Sequence, residues 1–88
     1  MALLDLLGRR WALRVLWELR DGPVATFREL QARCGDISSS VLNDRVRELR
    51  EAGIVDAESY SLTNEGVKLI AALGPLDAWA KRWGARAS

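Results

Sequence analysis

The chain has 88 residues, enough for one small domain that buries only about 60–65% of its unfolded surface. Its 13 basic and 12 acidic residues leave a net charge of +1, which excludes a strong uniform field toward nucleic acid or membrane. With no His and one Cys there is no internal disulfide and no usual zinc spacing, and no apolar run approaches the roughly 20 residues of a membrane helix.

These exclusions point to a cytoplasmic protein with no metal and no cofactor. An enzyme is not expected, because the chain has no glycine-rich phosphate loop and no nucleophile–base pair. Residues 1–11 carry Asp5 within their apolar run and lack a basic leading segment, so they make a poor signal peptide. The hydrophobic fraction is 49% and four residues are Trp, which suggests that part of this surface is buried against a partner. Arg supplies 11 of the 13 basic residues, so any DNA contact must come from local placement of Arg.

In chain order, residues 3–7 form a short apolar turn that stops near Gly8. Residues 9–20 read as a helix whose apolar positions cover most of its circumference, leaving only Arg14 and Glu18 as a polar strip. A helix this apolar is buried on more than one side, by a second protomer or by a central place in its own domain. Gly22 and Pro23 end it.

Thr26 reads as the N-cap of the next helix, with Glu29 at the capping-box distance. Phe27, Leu30 and Cys34 share one stripe, which makes Cys34 a small core residue rather than a reactive thiol. Gly35 and Asp36 turn the chain, and Ser38 caps a helix that runs to about Ala52, where Gly53 stops it. Its apolar stripe is Val41, Leu42, Val46, Leu49 and Ala52. Ser39, Ser40, Asn43, Arg47 and Arg50 share the opposite face.

That face is short and polar, as a helix entering the major groove requires, yet any solvated helix can look the same. Asp44, Glu48 and Glu51 cancel Arg45, Arg47 and Arg50. Arg45 falls inside the apolar stripe, where it can pair with Glu18 or Glu29 or reach along the helix to a phosphate.

Residues 54–57 and 60–62 read as two short strands, although Glu58 and Ser59 between them lack favoured hairpin chemistry. Thr63 can cap the last helix, with Glu65 in its first turn. Gly74 and Pro75 break or kink that helix; Leu76, Trp79 and Trp83 then form a stripe, and residues 84–88 fray. The expected architecture is mostly α with a small β-hairpin, a winged helix-turn-helix with a C-terminal dimerisation helix. It divides into N-terminal helices over 3–23, a helix-turn-helix over 26–52, a short wing over 54–63 and a last helix over 64–84.

The runs LLGRRWALRVLWELRDGP, FRELQ, GDISSSVLNDRVRELREAGIV and YSLTNEG, in this order, resemble the HxlR-type regulators of the MarR-like winged-helix group of bacterial transcription factors. The resemblance implies a homodimer built from the first helices and the C-terminal helix, for which Leu3, Leu7, Trp11, Val15, Leu76, Trp79 and Trp83 are the candidates. It also implies that the helix from Ser38 reads double-stranded DNA at a near-palindromic site. Ser38, Ser39, Ser40, Asn43 and Arg47 would face the groove, with Arg45 and Arg28 at phosphates or guanine.

The chain departs from that family in three ways. Redox-sensing members carry a Cys just before the first helix, where this chain has Met1 and Ala2, and Cys34 stands where the family is usually aliphatic. The wing is cut to Asp56, Ala57, Glu58 and Ser59, short and acidic. A Lys near the start of the recognition helix is replaced by Ser39 and Ser40. Two alternatives stay open beside a DNA-binding regulator: a winged-helix protein-interaction module, and a regulator that takes a small aromatic effector between Trp11, Trp17, Trp79 and Trp83.

Overall fold

The computed structural model describes the backbone of residues 2–87 and the side chains of residues 2–84. Met1, and with it half of the Met1 and Ala2 position compared above, lies outside them. Five helices follow one another: α1 (Ala2–Leu7), α2 (Ala12–Glu18), α3 (Phe27–Arg33), α4 (Ser39–Glu51) and α5 (Asn64–Ala87).

The helix expected over residues 9–20 is shorter, because Trp11 adopts the left-handed conformation at φ +77° and breaks the chain from α1. That backbone is costly for a bulky residue. Trp11 is held by packing on the core and by the Arg10 guanidinium 5.7 Å from its ring. The α2 helix is central. It packs against α1, α3, α4 and α5, and Ala12, Val15 and Leu16 are fully buried within the one chain. Its second cover is therefore the chain's own helices, and Val15 has no surface left to offer a second protomer. Only Leu13 on this helix is an exposed large apolar residue.

Around α2 the core gathers Leu30 and Cys34 at the end of α3, Leu42, Val46 and Leu49 on α4, and Val24, Ile37, Ile54 and Val55 from the links. The caps act as their residue types dictate. Thr26 Oγ1 accepts from the Glu29 amide at 3.1 Å, and Ser38 Oγ accepts from the Val41 amide at 3.3 Å. The Glu29 carboxylate reaches back to the Ala25 amide, one residue beyond the Thr26 amide of a standard capping box. Cys34 is buried, as its stripe requires.

The two expected strands are reduced to isolated antiparallel bridges, one pairing Val24 with Tyr60 and the other Val55 with Leu62. Val24, from the link after α2, takes the position beside Tyr60. Thr63 ties this corner down: its hydroxyl lies 2.6 Å from the Gly53 carbonyl and accepts from the Gly66 amide at 3.1 Å.

The last helix is not broken at Gly74 and Pro75; α5 is continuous through Pro75 to Ala87. The missing Pro N–H removes one helical hydrogen bond, and the neighbouring turns supply the rest. Fraying from Gly84 is not seen in the backbone, consistent with the good helix formers Ala85, Arg86 and Ala87; Ser88 lies outside the described residues.

Candidate nucleic-acid interface

The exposed face of α4 carries Ser39, Ser40, Asn43 and Arg47, with Ser38 exposed at its cap. Ser40, Asn43 and Arg47 are spaced by three and four residues, so they line one side of the helix. Asn43 and Ser40 are free of the chain's own packing. Ser39 is oriented from α3: Gln31 Nε2 donates 2.8 Å to the Ile37 carbonyl and 3.2 Å to Ser39 Oγ. One Gln thus fixes the turn between α3 and α4 and the first residue of the candidate reading helix.

The arginines separate into distinct roles. Arg47 is exposed and lies 3.4 Å from Asp44 on the same helix, a solvated pair that contributes little stability and leaves the guanidinium available. Arg28 is exposed at the start of α3.

Arg45 is largely buried and pairs at 3.5 Å with Glu48, one turn on, rather than with Glu18 or Glu29. Those two carboxylates are taken by Arg14 at 3.1 Å and Arg33 at 3.0 Å. A place inside the apolar stripe therefore makes Arg45 an internal ion-pair partner, poorly placed for phosphate.

Arg50, which shares the polar face by phase, turns to the wing instead. Its Nε donates 2.8 Å to the Asp56 carbonyl and its terminal nitrogen 3.2 Å to the Ser59 carbonyl.

The wing closes without hairpin chemistry because Asp56 closes it. Its Oδ2 accepts from the Glu58 and Ser59 amides at 2.9 Å each and from Ser59 Oγ at 3.0 Å. This is an Asx turn, a side chain standing in for a backbone turn. The Glu58 amide, then the Ser59 amide and hydroxyl, hold the Asp56 carboxyl below its ordinary range by stabilising the anion. Cys34 moves the other way: burial raises its thiol pKa, with Glu18 adding and Arg14 opposing. Gln31, Arg50 and Asp56 were not legible as site-forming residues. The spacing of Asp56 to Ser59 was the one available signal.

The four Trp do not converge within one chain. Trp79 and Trp83 stack at 6.1 Å with an interplanar angle of 9°, both exposed with Leu76. Trp17 lines a separate open groove of about 320 Å³ with Leu13, Leu73 and Leu76, under the Arg20 guanidinium at 4.2 Å. Trp11 and Leu7 pack partly on the core, while Leu3 is exposed on α1.

A family model described as HxlR-like helix-turn-helix matches residues 6–88. The chain belongs to the HxlR-like family. This HxlR-like chain is 32% identical over 88 residues to YvaP of Bacillus subtilis, an uncharacterized HTH-type transcriptional regulator, covering 90% of this chain and 81% of that one. It is also 32% identical to the HTH-type transcriptional regulator YodB of the same organism, covering 90% and 78%.

The solved quinone-bound YodB superposes with a TM-score of 0.81 at 32% identity, over 92% of this chain and 93% of that one. Diamide-treated YodB gives 0.73 at 30% identity, over 92% and 88%. The winged helix-turn-helix fold and the class of transcriptional regulator follow for the HxlR-like chain. None of its described helices is long and apolar enough to cross a membrane.

Proposed function

We propose that this HxlR-like regulator acts as a homodimer that binds double-stranded DNA at a near-palindromic site. The observation that carries the reading is the exposed face of α4, where Ser39, Ser40, Asn43 and Arg47 are free of the chain's own core. Short polar side chains let a helix approach base edges, and the two α4 helices would enter major grooves about 34 Å apart. Ser40 and Asn43 would read bases. Ser38, Arg47 and Arg28 would hold phosphate or guanine, with Arg45 supporting α4 from within.

The homodimer is supported by the apolar surface of Leu76, Trp79 and Trp83 on α5 and of Leu3 on α1, which this chain leaves uncovered. The acidic wing, held to α4 by Arg50, stays off the DNA in this reading. Selection of bound DNA from a random pool tests it: an enriched inverted repeat is expected, with affinity lost in Arg47→Ala and falling as salt rises. No enriched sequence would transfer the reading to a protein-interaction module, which the acidic wing and neutral α4 favour.

A planar aromatic effector is a second, compatible reading. The groove beside Trp17 and Leu13 favours it, as does the quinone-bound state of the relative YodB. Tryptophan fluorescence unchanged across a panel of planar aromatic compounds would remove it.

A further inference from the structure

Gln31 of α3 commits both hydrogens of its side-chain amide to the turn into α4. Its Nε2 donates 2.8 Å to the Ile37 carbonyl and 3.2 Å to Ser39 Oγ. The Ile37 carbonyl can only accept, so turning the amide over would set two oxygens against each other. With Nε2 fixed there, its second hydrogen obliges Ser39 Oγ to accept. A hydroxyl carries one proton and two lone pairs. The Ser39 proton is therefore directed away from Gln31, on a residue that is exposed.

Ser40 is in a different state. Its hydroxyl has no partner among the described residues and can turn either to give or to take. Ser39 also stands aside from the face of Ser40, Asn43 and Arg47. At about 100° of rotation per residue it lies on the flank toward α3. On that flank Arg28, one turn before Gln31, is exposed and has no ion-pair partner among the described residues. A donor fixed in direction and an unpaired cation both call for an anionic group that only accepts. A phosphate of the DNA backbone is such a group, whereas base edges present donors and acceptors together.

We propose that Gln31 is a positioning residue for DNA: by holding Ser39 Oγ as an acceptor, it presents the Ser39 proton to a backbone phosphate at the edge of the groove. This role rests on the DNA-binding reading above, and it assigns Ser39 to holding the backbone rather than reading bases. Phosphate contacts set register and carry no base information, so Ser39 fixes where Ser40 and Asn43 stand along the groove.

Fluorescence anisotropy of the full chain on the inverted-repeat duplex enriched from the random pool tests this, with single phosphates replaced in turn by neutral methylphosphonates. Ser39→Ala is expected to lose at least about tenfold in affinity, the low end for a hydrogen bond to a charged group, and Ser39→Thr, which keeps the hydroxyl, to lose little. The Ser39→Ala loss should vanish on the duplex neutralised at one particular phosphate of each half-site. Gln31→Leu should lose affinity in the wild-type background and nothing further in Ser39→Ala, the non-additivity of two residues that act through one hydrogen bond. A Gln31 that merely shapes the turn would cost affinity in both backgrounds.

Unchanged affinity in Ser39→Ala overturns the proposal. So does a loss that persists on every neutralised duplex, which would make Ser39 a base reader, or a Gln31→Leu loss that remains in Ser39→Ala. Should Gln31→Leu fail to fold by circular dichroism, the Ser39 variants and the neutralised duplexes still decide, because Ser39→Ala leaves the bond from Gln31 to Ile37 in place. No enriched duplex at all removes the DNA-binding reading and this role with it; a duplex bound equally by wild type and Ser39→Ala removes this role alone.

Discussion

Arg50 lays its guanidinium 5.1 Å from the centroid of the Tyr60 ring while donating to the carbonyls of Asp56 and Ser59 on either side of the wing turn. One side chain from α4 thus holds both ends of a turn that has no ladder of its own. Tyr60 in turn packs against Phe27 of α3 at 6.3 Å, joining the wing to the helix-turn-helix. Arg50→Ala is expected to lose about 1–3 kcal/mol of stability, from two carbonyls left without donors and the lost ring contact. Arg50→Lys should recover only part of this, because one ammonium cannot span both carbonyls. Urea unfolding with an unchanged midpoint in Arg50→Ala would show the contact to be idle.

The Asp56 carboxyl has a depressed folded-state pKa, so its stabilising effect is complete above the ordinary value of 3.8 and is lost as pH falls through the lower folded value. Stability is therefore expected to be insensitive to Asp56 between neutral pH and about pH 5 and to decline below that. Asp56→Asn keeps an acceptor oxygen but removes the charge, and should flatten this acid dependence. The urea midpoints of the two proteins are expected to differ at pH 7 and to converge as the pH falls below 3.8.

Gly66 is a packing position rather than a flexible one. A Cβ there would overlap the Ile54 carbonyl and come within 3.1 Å of Leu62 Cβ. Ala elsewhere in a helix gains up to about 1 kcal/mol over Gly, but here overpacking against backbone costs about 1–3 kcal/mol. Gly66→Ala should lower the thermal midpoint, and an increase would show that α5 can shift away from the wing at little cost.

The Cys34 thiol should resist a small thiol reagent in the native protein and react on unfolding, because it is 1% exposed and its pKa is raised by burial. Cys34→Ala should cost less than Cys34→Ser, which buries a hydroxyl for about 1–3 kcal/mol. Rapid labelling of the folded chain would refute this.

Trp79 and Trp83 offer the largest apolar area for a homodimer. The double substitution Trp79→Ala, Trp83→Ala should weaken self-association at least about thirtyfold in sedimentation, as loss of an aromatic anchor does. A wild-type chain that stays monomeric at high concentration would remove the dimer.

Local chemistry was sufficient wherever a feature depended on neighbours in sequence. The helix of residues 38–52 follows from Ser38, the apolar stripe and Gly53, and the burial of Cys34 follows from its phase. The exposed face of Ser39, Ser40, Asn43 and Arg47 was equally readable, because a helix places side chains three and four residues apart together. What the tertiary structure decided were choices among partners that periodicity cannot rank. Phase put Arg50 beside Arg47 and pointed Arg45 toward α2 or α3. In the fold, Arg50 finds two open wing carbonyls and a ring, and Arg45 finds Glu48.

Likewise, the apolar circumference of residues 12–19 specified that α2 is covered on several sides, but a second chain and four helices of the same chain bury it equally well. Packing decided for the chain's own helices and left the exposed apolar residues of the described chain mainly on α1 and α5, with Leu13 on α2. Sequence thus determined α3, α4, their caps and the exposed polar face of α4, but not the start of α2, the reduced wing or the unbroken α5. Which charges are spent internally was set by the fold: Glu18 and Glu29 are taken by Arg14 and Arg33, Arg45 turns to Glu48 on its own helix, and Arg50 turns to the wing.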